Sequence, residues 1–209
     1  MLNIRPMLRQ LDHVVFVARD LNSVMDDYRR RGFTVTPGGA HADGLTRNAL
    51  IPFADGSYLE IVAFHDLSRG LTHRWWKVAA GGGGLADFAL LSDDLAADSA
   101  ALGDLVARPP AQGGRTRPDG TQLKWRTAVL VPPLPFLIED LTPRDLRVPG
   151  GAQTLHANGA IGIASLAVGA HDVAEAEWGY AKLRERGAPP IELHAAENDG
   201  PSDIRFKGA

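Results

Sequence analysis

The chain has 209 residues, 44 % of them apolar, and it carries 22 Lys and Arg against 25 Asp and Glu, for a net charge of −3. This balance gives no electrostatic reason to expect a nucleic acid or an anionic membrane as a partner, and the absence of cysteine excludes disulfides, thiolate nucleophiles and cysteine-bound zinc. No stretch has the apolar core of a signal peptide or the roughly 18 apolar residues of a membrane span, which predicts a cytoplasmic protein.

Three stretches repeat one pattern, an apolar strand that ends in an aspartate and leads into a helical segment. They read "LDHVVFVARDL" at 11–21, "LADFALLSDDL" at 85–95 and "IASLAVGAHDV" at 163–173. The aspartates Asp20, Asp94 and Asp172 are suited to cap helices, because a short carboxylate accepts hydrogen bonds from the free amides of the first turn. The pattern therefore predicts helices over 21–31, about 95–106 and 173–186.

After Gly32 the chain returns to short alternating segments, which predict three further strands in "FTVTP", "GLTRNALIPF" and "SYLEIVAF". Residues 11–64 therefore follow the order β-α-β-β-β. The second copy repeats this order with "DLVARPP", "TQLKWRTAVLVP" and "LPFLIEDL", and the glycines at 81–84 link the two copies. Only 22 residues follow Gly187, so the third copy is shorter.

These tandem units resemble the vicinal oxygen chelate superfamily and, within it, the glyoxalase-like domain proteins. The motifs that carry the resemblance are "LDHVVFVARDL", "YLEIVAF", "GGAHADGLTRNAL", "RPDGTQLKWR" and "PFLIED". The resemblance implies an α+β fold in which tandem βαβββ modules pair into an open, curled β-barrel, with a divalent metal commonly held inside by the first and fourth strands. It does not fix a reaction, because the superfamily includes lyases, isomerases, dioxygenases, epimerases and proteins that only sequester drugs.

The repeat pattern and the resemblance together predict the domain organisation. A paired glyoxalase-like domain is expected over residues 1–147, with modules at about 11–66 and 84–141, followed by a linker and a partial third module over 148–209. The third unit is expected to leave a sheet edge that pairs either within the chain or across a homodimer.

A first pair of candidate site residues comes from strand alternation. His13 shares a face with Leu11 and Val15, and Glu60 shares a face with Tyr58, so both polar groups project from largely apolar faces. A divalent ion bound by both would satisfy them, and neutral imidazole with carboxylate suits Zn, Fe, Mn or Ni. The alternative is a hydrogen-bonded core histidine and a glutamate that pairs with an arginine.

The resemblance extends this ligand set to the second copy. Matching the copies places Asp87 where His13 stands, and makes Glu139 the counterpart of Glu60. One imidazole with three carboxylates is a hard ligand set, better suited to Mn, Mg or Ca than to Zn. The alternatives are a solvated Asp87 at a strand start and a surface Glu139.

The resemblance also implies that His41 and Asn48 face the barrel mouth as substrate-binding residues, with His41 as an alternative metal ligand or general acid/base, and side-chain chemistry adds Trp75 and Arg126 to the expected pocket. Trp provides an apolar wall and Arg a bidentate fork for a carboxylate. The alternatives are an exposed loop position for His41, core filling for the tryptophan and a surface position for the arginine.

These observations predict a metal-dependent lyase or isomerase of the glyoxalase-like type, which acts on a small molecule chelated through vicinal oxygens. The metal would stabilise an enolate-like charge, and Glu60 or Glu139 would act as the base. The alternative function is a non-catalytic protein of the bleomycin-resistance type that binds or sequesters a small molecule. In either case the expected partner is a small-molecule ligand, with no nucleic acid and no membrane.

Overall fold

The computed structural model describes residues 8–208, and its first module is one βαβββ unit. The unit consists of β1 (Leu8–Val17), α1 (Leu21–Arg30), β2 (Thr36–His41), β3 (Thr46–Pro52) and β4 (Tyr58–Phe64). Asp20 caps α1 by accepting a hydrogen bond from the backbone amide of Ser23 at 2.7 Å. The strand predicted in "FTVTP" is wrong in position, because β2 begins only at Thr36 and takes its register from pairing with β3.

The second module repeats this order after a short connecting helix. The elements are α2 (Trp76–Ala80), β5 (Gly84–Ser92), α3 (Leu95–Leu102), β6 (Val106–Thr116), β7 (Gln122–Leu130) and β8 (Phe136–Asp140). Asp94 caps α3 as predicted. The helix ends four residues earlier than predicted, because Gly103 adopts a φ of 53°, a left-handed conformation that costs glycine little.

The eight strands of the two modules form one curled sheet in the order β1-β4-β3-β2-β6-β7-β8-β5. The predicted α+β class and the pairing of βαβββ modules are confirmed. The two modules join at two seams of different length. Strand β1 pairs with β5 along its length, whereas β2 pairs with β6 only at Ala40–Thr116 and His41–Arg115.

The register of β1 against β5 reveals a local twofold relation between the modules. Val14 pairs with Phe88, and Val15 pairs with Asp87. Val14 and Phe88 each lie six residues before the aspartate that caps the next helix, Asp20 or Asp94, so this pair marks the axis, and Asp87 occupies in β5 the position that His13 occupies in β1. The first strands of the two modules are therefore matched as the sequence comparison predicted.

The rest of the chain forms a small second sheet against the barrel. Helix α4 (Arg144–Arg147) follows β8 directly. The later elements are β9 (Gly162–Ala170), α5 (Val173–Glu185), β10 (Glu192–Ala195) and β11 (Gly200–Lys207), and the sheet order is β10-β9-β11. Strand β11 packs against β5. The third unit thus contains a strand, a helix and two further short strands.

Apolar side chains between the helices and the outer face of the barrel form the main core. Helix α1 contributes Leu21, Met25 and Tyr28, whose spacing places them on one face. Within residues 8–208 no helix is long and apolar enough to cross a membrane.

Candidate functional site

The barrel encloses a cavity of about 540 Å³. Its walls combine aromatic rings with polar groups. The aromatic rings are Tyr58, Trp75, Trp125 and Phe136, and the polar groups come from both modules and from α4. Volume and lining are typical of small-molecule sites, which are mostly apolar with a few placed polar groups.

His13 and Glu60 face each other in this cavity. His13 Nε2 lies 3.4 Å from Glu60 Oε2, and the two residues are only 2 % and 6 % exposed. The other ring nitrogen of His13, Nδ1, lies 2.5 Å from Oδ1 of Asp12, to which it donates a hydrogen bond. The imidazole also stacks on Tyr58, with ring centroids 4.6 Å apart. His13 is therefore held in one orientation with Nε2 directed at Glu60.

Asp12 is fully buried, and two arginines of α4 hold it in place. Arg147 Nη1 and Nη2 lie 2.8 and 2.9 Å from its two carboxylate oxygens, and Arg144 Nη1 lies 2.5 Å from Oδ2. Asp140, at the end of β8, binds both arginines. The sequence analysis did not identify this network. The only signal for it is an aspartate at position 12 in an otherwise apolar strand.

The charges of these groups favour ionised carboxylates and a protonated imidazole. Burial works to raise the pKa of Asp12, but the charge and hydrogen bonds of Arg147 outweigh it and hold that pKa well below its usual range. Burial likewise opposes ionisation of Glu60, yet hydrogen bonds from His13 and His41 hold its pKa well below the usual value. Burial tends to lower the pKa of His13, and hydrogen bonds to Asp12 and Glu60 raise it overall.

The second oxygen of Glu60 contacts two residues that were predicted to bind substrate. Asn48 Nδ2 donates a hydrogen bond to Oε1, and His41 Nε2 lies 3.4 Å from the same atom. Asn48 Oδ1 in turn accepts a hydrogen bond from Arg115 Nη1 at 3.1 Å. His41 is half-buried at the end of β2, so the alternative of an exposed loop histidine does not apply.

The structure does not bring Asp87 to this group. Asp87 is buried, but it forms an ion pair with Arg74, and Trp75 Nε1 donates to its Oδ2 at 2.8 Å. Burial raises the pKa of its carboxyl even though Arg74 opposes that shift. The guanidinium of Arg74 also lies over the ring of Phe136, 4.9 Å from its centroid. Arg74 and Trp75 line the cavity, and they take up the hydrogen-bonding capacity of Asp87.

Glu139 also does not line the cavity, and the strand register gives Glu60 a different counterpart. Val15 pairs with Glu60 in the first module, and its counterpart Ala89 pairs with Phe136, so Phe136 is the residue that corresponds to Glu60. Phe136 and Ile138 line the cavity, so alternation directs Glu139 to the opposite face.

Arg126 lies opposite Glu139 on the neighbouring strand and, like it, faces away from the cavity. Its Nε donates to Glu139 Oε2 at 2.8 Å, and Arg126 does not line the cavity, whereas its neighbours Trp125 and Thr127 do. The predicted substrate-binding set is thus brought together only in part: His41, Asn48 and Trp75 line the cavity.

The donors that the structure assembles do not fit the predicted four-ligand metal centre. In the second module, the carboxylate of Asp87 is bound by Arg74, and Phe136 stands at the position that corresponds to Glu60. Within residues 8–208 no group of three or more His, Cys, Asp or Glu residues could hold a metal ion. What the cavity contains instead is a histidine–carboxylate pair backed by a buried ion-pair network.

The comparisons with known proteins agree with this architecture. A family model described as a glyoxalase-like domain matches residues 11–184. The chain belongs to the glyoxalase-like domain family. No curated protein matches this glyoxalase-like chain in sequence.

Solved structures similar to this glyoxalase-like protein include a hypothetical protein from Staphylococcus aureus. It is 14 % identical, with a TM-score of 0.71 and coverage of 91 % of this chain and 87 % of that one, which supports the fold over nearly the whole chain. A methylmalonyl-CoA epimerase in complex with methylmalonyl-CoA and NH4+ is 23 % identical, covering 65 % of this chain and 96 % of that one, with a TM-score of 0.49. A Streptomyces coelicolor methylmalonyl-CoA epimerase in complex with 2-nitronate-propionyl-CoA is 21 % identical, covering 65 % and 99 %, with a TM-score of 0.46.

Proposed function

We propose that this glyoxalase-like protein is an isomerase or lyase that moves a proton on a small oxygenated molecule bound in the barrel cavity. The observation that carries the proposal is the His13–Glu60 pair, whose facing atoms are 3.4 Å apart inside the cavity. A base must be ionised and a hydrogen-bond donor must carry a proton, and the surroundings of this pair favour those charge states. Here the pKa of Glu60 is lowered and that of His13 is raised.

Glu60 is the base in this proposal. Its ionised carboxylate accepts a proton from a carbon next to a carbonyl group, and the electron pair of the broken C–H bond moves onto the carbonyl oxygen. His13 Nε2 donates a hydrogen bond to that oxygen and stabilises the developing negative charge. The protonated Glu60 then returns the proton to a neighbouring atom, which gives an isomer, or the enolate expels a leaving group, which gives a lyase product.

Asp12 and the aromatic walls support this chemistry. The hydrogen bond from His13 Nδ1 to Asp12 fixes the ring and keeps a proton on each nitrogen. His13 and Glu60 are both buried, and the low polarity of a protein interior strengthens both interactions. The divalent metal ion that the family resemblance implies has no role in these steps, because the donor set does not fit it.

Hydrogen–deuterium exchange tests the proposal directly. Small 2-oxo acids and 1,2-dicarbonyl compounds are incubated with the protein in D₂O, and the loss of C–H signals next to the carbonyl is followed by NMR. We expect exchange with at least one compound, and a loss of about 10²–10⁴-fold in the Glu60→Gln variant. Glu139→Gln is the matched control, because this glutamate faces away from the cavity, and it should exchange like the wild type.

Two outcomes would contradict the proposal. Equal exchange rates in Glu60→Gln and wild type would remove Glu60 as the base. Exchange that a chelator abolishes and added Mn²⁺ or Zn²⁺ restores would show that a metal carries the chemistry. Elemental analysis of the purified protein accompanies this second test.

The part of the cavity wall around Phe136 and Asp87 favours one alternative function, a non-catalytic protein that binds a small molecule. Phe136 stands where the first module has Glu60, and Arg74 neutralises Asp87, so this wall offers aromatic contact without a base. Such a protein would retain its ligand without turnover. Native mass spectrometry would then detect a bound small molecule, and no compound would show exchange.

A further inference from the structure

A buried arginine of the cavity wall, Arg115, forms no ion pair with any residue in the described range 8–208. Arg115 is 4 % exposed and lies in β6 at the seam with β2. Its Nη1 donates to Asn48 Oδ1 at 3.1 Å, and its Nη2 donates to the backbone oxygen of Arg147 at 3.0 Å. Within residues 8–208, no carboxylate lies at ion-pair distance from this guanidinium, and Nε of Arg115 is buried without a hydrogen-bond partner.

Two other arginines of the cavity wall have acidic partners. Arg74 is paired with Asp87, and Arg147 is paired with Asp12. A guanidinium has five N–H donors, and a buried charge is strongly unfavourable unless it is paired and hydrogen-bonded. Only two described acceptors serve Arg115, and both are neutral oxygens. The cavity thus holds a buried positive charge that has no directly bonded carboxylate among residues 8–208, although the charge of Glu60 acts on it through space.

The surroundings keep Arg115 in place. A β-carbon at Gly38 would overlap both Asn48 Oδ1 and Arg115 Nη1, so the lack of a side chain at that position makes room for their hydrogen bond. A second arginine, Arg108, is exposed and also lines the cavity, and it forms no ion pair with a described residue. Both arginines lie on β6, one buried and one exposed, so this wall of the cavity attracts anions.

We infer that the ligand of the cavity carries a carboxylate group, and that Arg115 binds it. The inference rests on the proposed function, since it names the substrate class of the same site. A planar guanidinium matches a carboxylate with two parallel hydrogen bonds. Asn48 bridges Arg115 to Glu60, so a carboxylate held at Arg115 places the adjoining carbon atoms next to the base. The substrate class is therefore a small organic acid with a carbonyl group near its carboxylate.

Binding of benzoate and benzamide to the unmodified protein tests the inference without any variant. The two probes have the same shape and differ in charge. In isothermal titration calorimetry we expect benzoate to bind at least about tenfold more tightly than benzamide, because only benzoate forms charge-assisted hydrogen bonds. Equal affinities would overturn the inference. Inorganic phosphate that displaces benzoate at equal concentration would overturn the assignment to a carboxylate.

Two matched variants locate the anion site. Arg115→Gln should weaken benzoate by at least about tenfold, whereas Arg126→Gln, which removes an arginine outside the cavity, should leave it unchanged. Unfolding midpoints of both variants confirm that they are folded. Equal benzoate affinity in Arg115→Gln and Arg126→Gln would overturn the role of Arg115.

The Glu60→Gln variant separates this inference from the proposed function. It should bind benzoate while losing exchange, because Arg115 and not Glu60 contacts the carboxylate. If wild type binds benzoate with the expected selectivity but exchanges no compound, the proposed function fails and the carboxylate site stands.

Discussion

Replacing Arg147 by methionine removes the guanidinium that neutralises Asp12 and keeps a side chain of similar length. In the wild type this arginine is 3 % exposed and binds the fully buried carboxylate of Asp12 through two nitrogens, at 2.8 and 2.9 Å. Removing one partner of a buried ion pair costs about 3–5 kcal/mol, because the other charge stays buried. Arg144 and His13 still bind Asp12 in the variant, so we expect the unfolding free energy to fall by about 3 kcal/mol, at the lower end of that range.

Urea denaturation followed by circular dichroism measures this loss. In a separate thermal unfolding experiment, the same loss should lower the midpoint temperature by about 6–12 °C for a chain of this length. The Asp12→Asn/Arg147→Met double variant should recover part of the lost unfolding free energy, because it no longer buries an unpaired carboxylate. Its loss should therefore be smaller than the sum of the losses of the two single variants. A loss below about 1 kcal/mol for Arg147→Met, the range of exposed ion pairs, would refute the view that this network is held together by buried charge.

Two further predictions concern the charged groups of the site. The pKa values of Asp12 and Glu60 are lowered, so these residues stabilise the fold above about pH 4, and their contribution is lost as the pH falls through the folded-state values. The pKa of His13 is raised, so its contribution is complete below about pH 6.5 and is lost as the pH rises through the folded-state value. The difference in thermal midpoint between wild type and His13→Gln should therefore be larger at pH 5 than at pH 9, and a difference that grows with pH would contradict this. Arg74→Met should lower the unfolding free energy by about 1–3 kcal/mol, because Asp87 loses its ion pair, and an additional Asp87→Asn change should restore part of it in urea denaturation. No restoration would mean that the guanidinium of Arg74 acts mainly through packing.

Local sequence signals were sufficient to predict most of the fold. Asp20, Asp94 and Asp172 each cap a helix, because an aspartate before an apolar helix acts through its own neighbours and needs no tertiary contact. The position of β2 was not predictable in the same way. Its segment contains Pro37 and two glycines, and only pairing with β3 makes it a strand. The division of the chain at residue 147 stays a prediction, and the family match continues to residue 184.

The site was predictable only where residues lie on adjacent strands of one module. His13 and Glu60 meet because β1 and β4 are parallel neighbours, and alternation gives their faces. The strand register matches Glu60 with Phe136 and not with Glu139, because loops of different length hide the register in the sequence, and a shift of three residues also reverses the face of the strand. Asp12 and Arg147 are 135 positions apart, and no periodic pattern relates an arginine of a short helix to a distant strand.

The pairing of Val14 with Phe88 on the local axis has a consequence for the history of the chain. An internal twofold relation of two βαβββ units is what duplication and fusion of one ancestral unit produce. In a symmetric dimer of single units every substitution occurs twice, so the two halves of the cavity must stay identical. Fusion removes that constraint. One half of this chain has a glutamate and the other a phenylalanine at matching positions, so a single polypeptide combines a reactive side and an aromatic side that a homodimer could not separate.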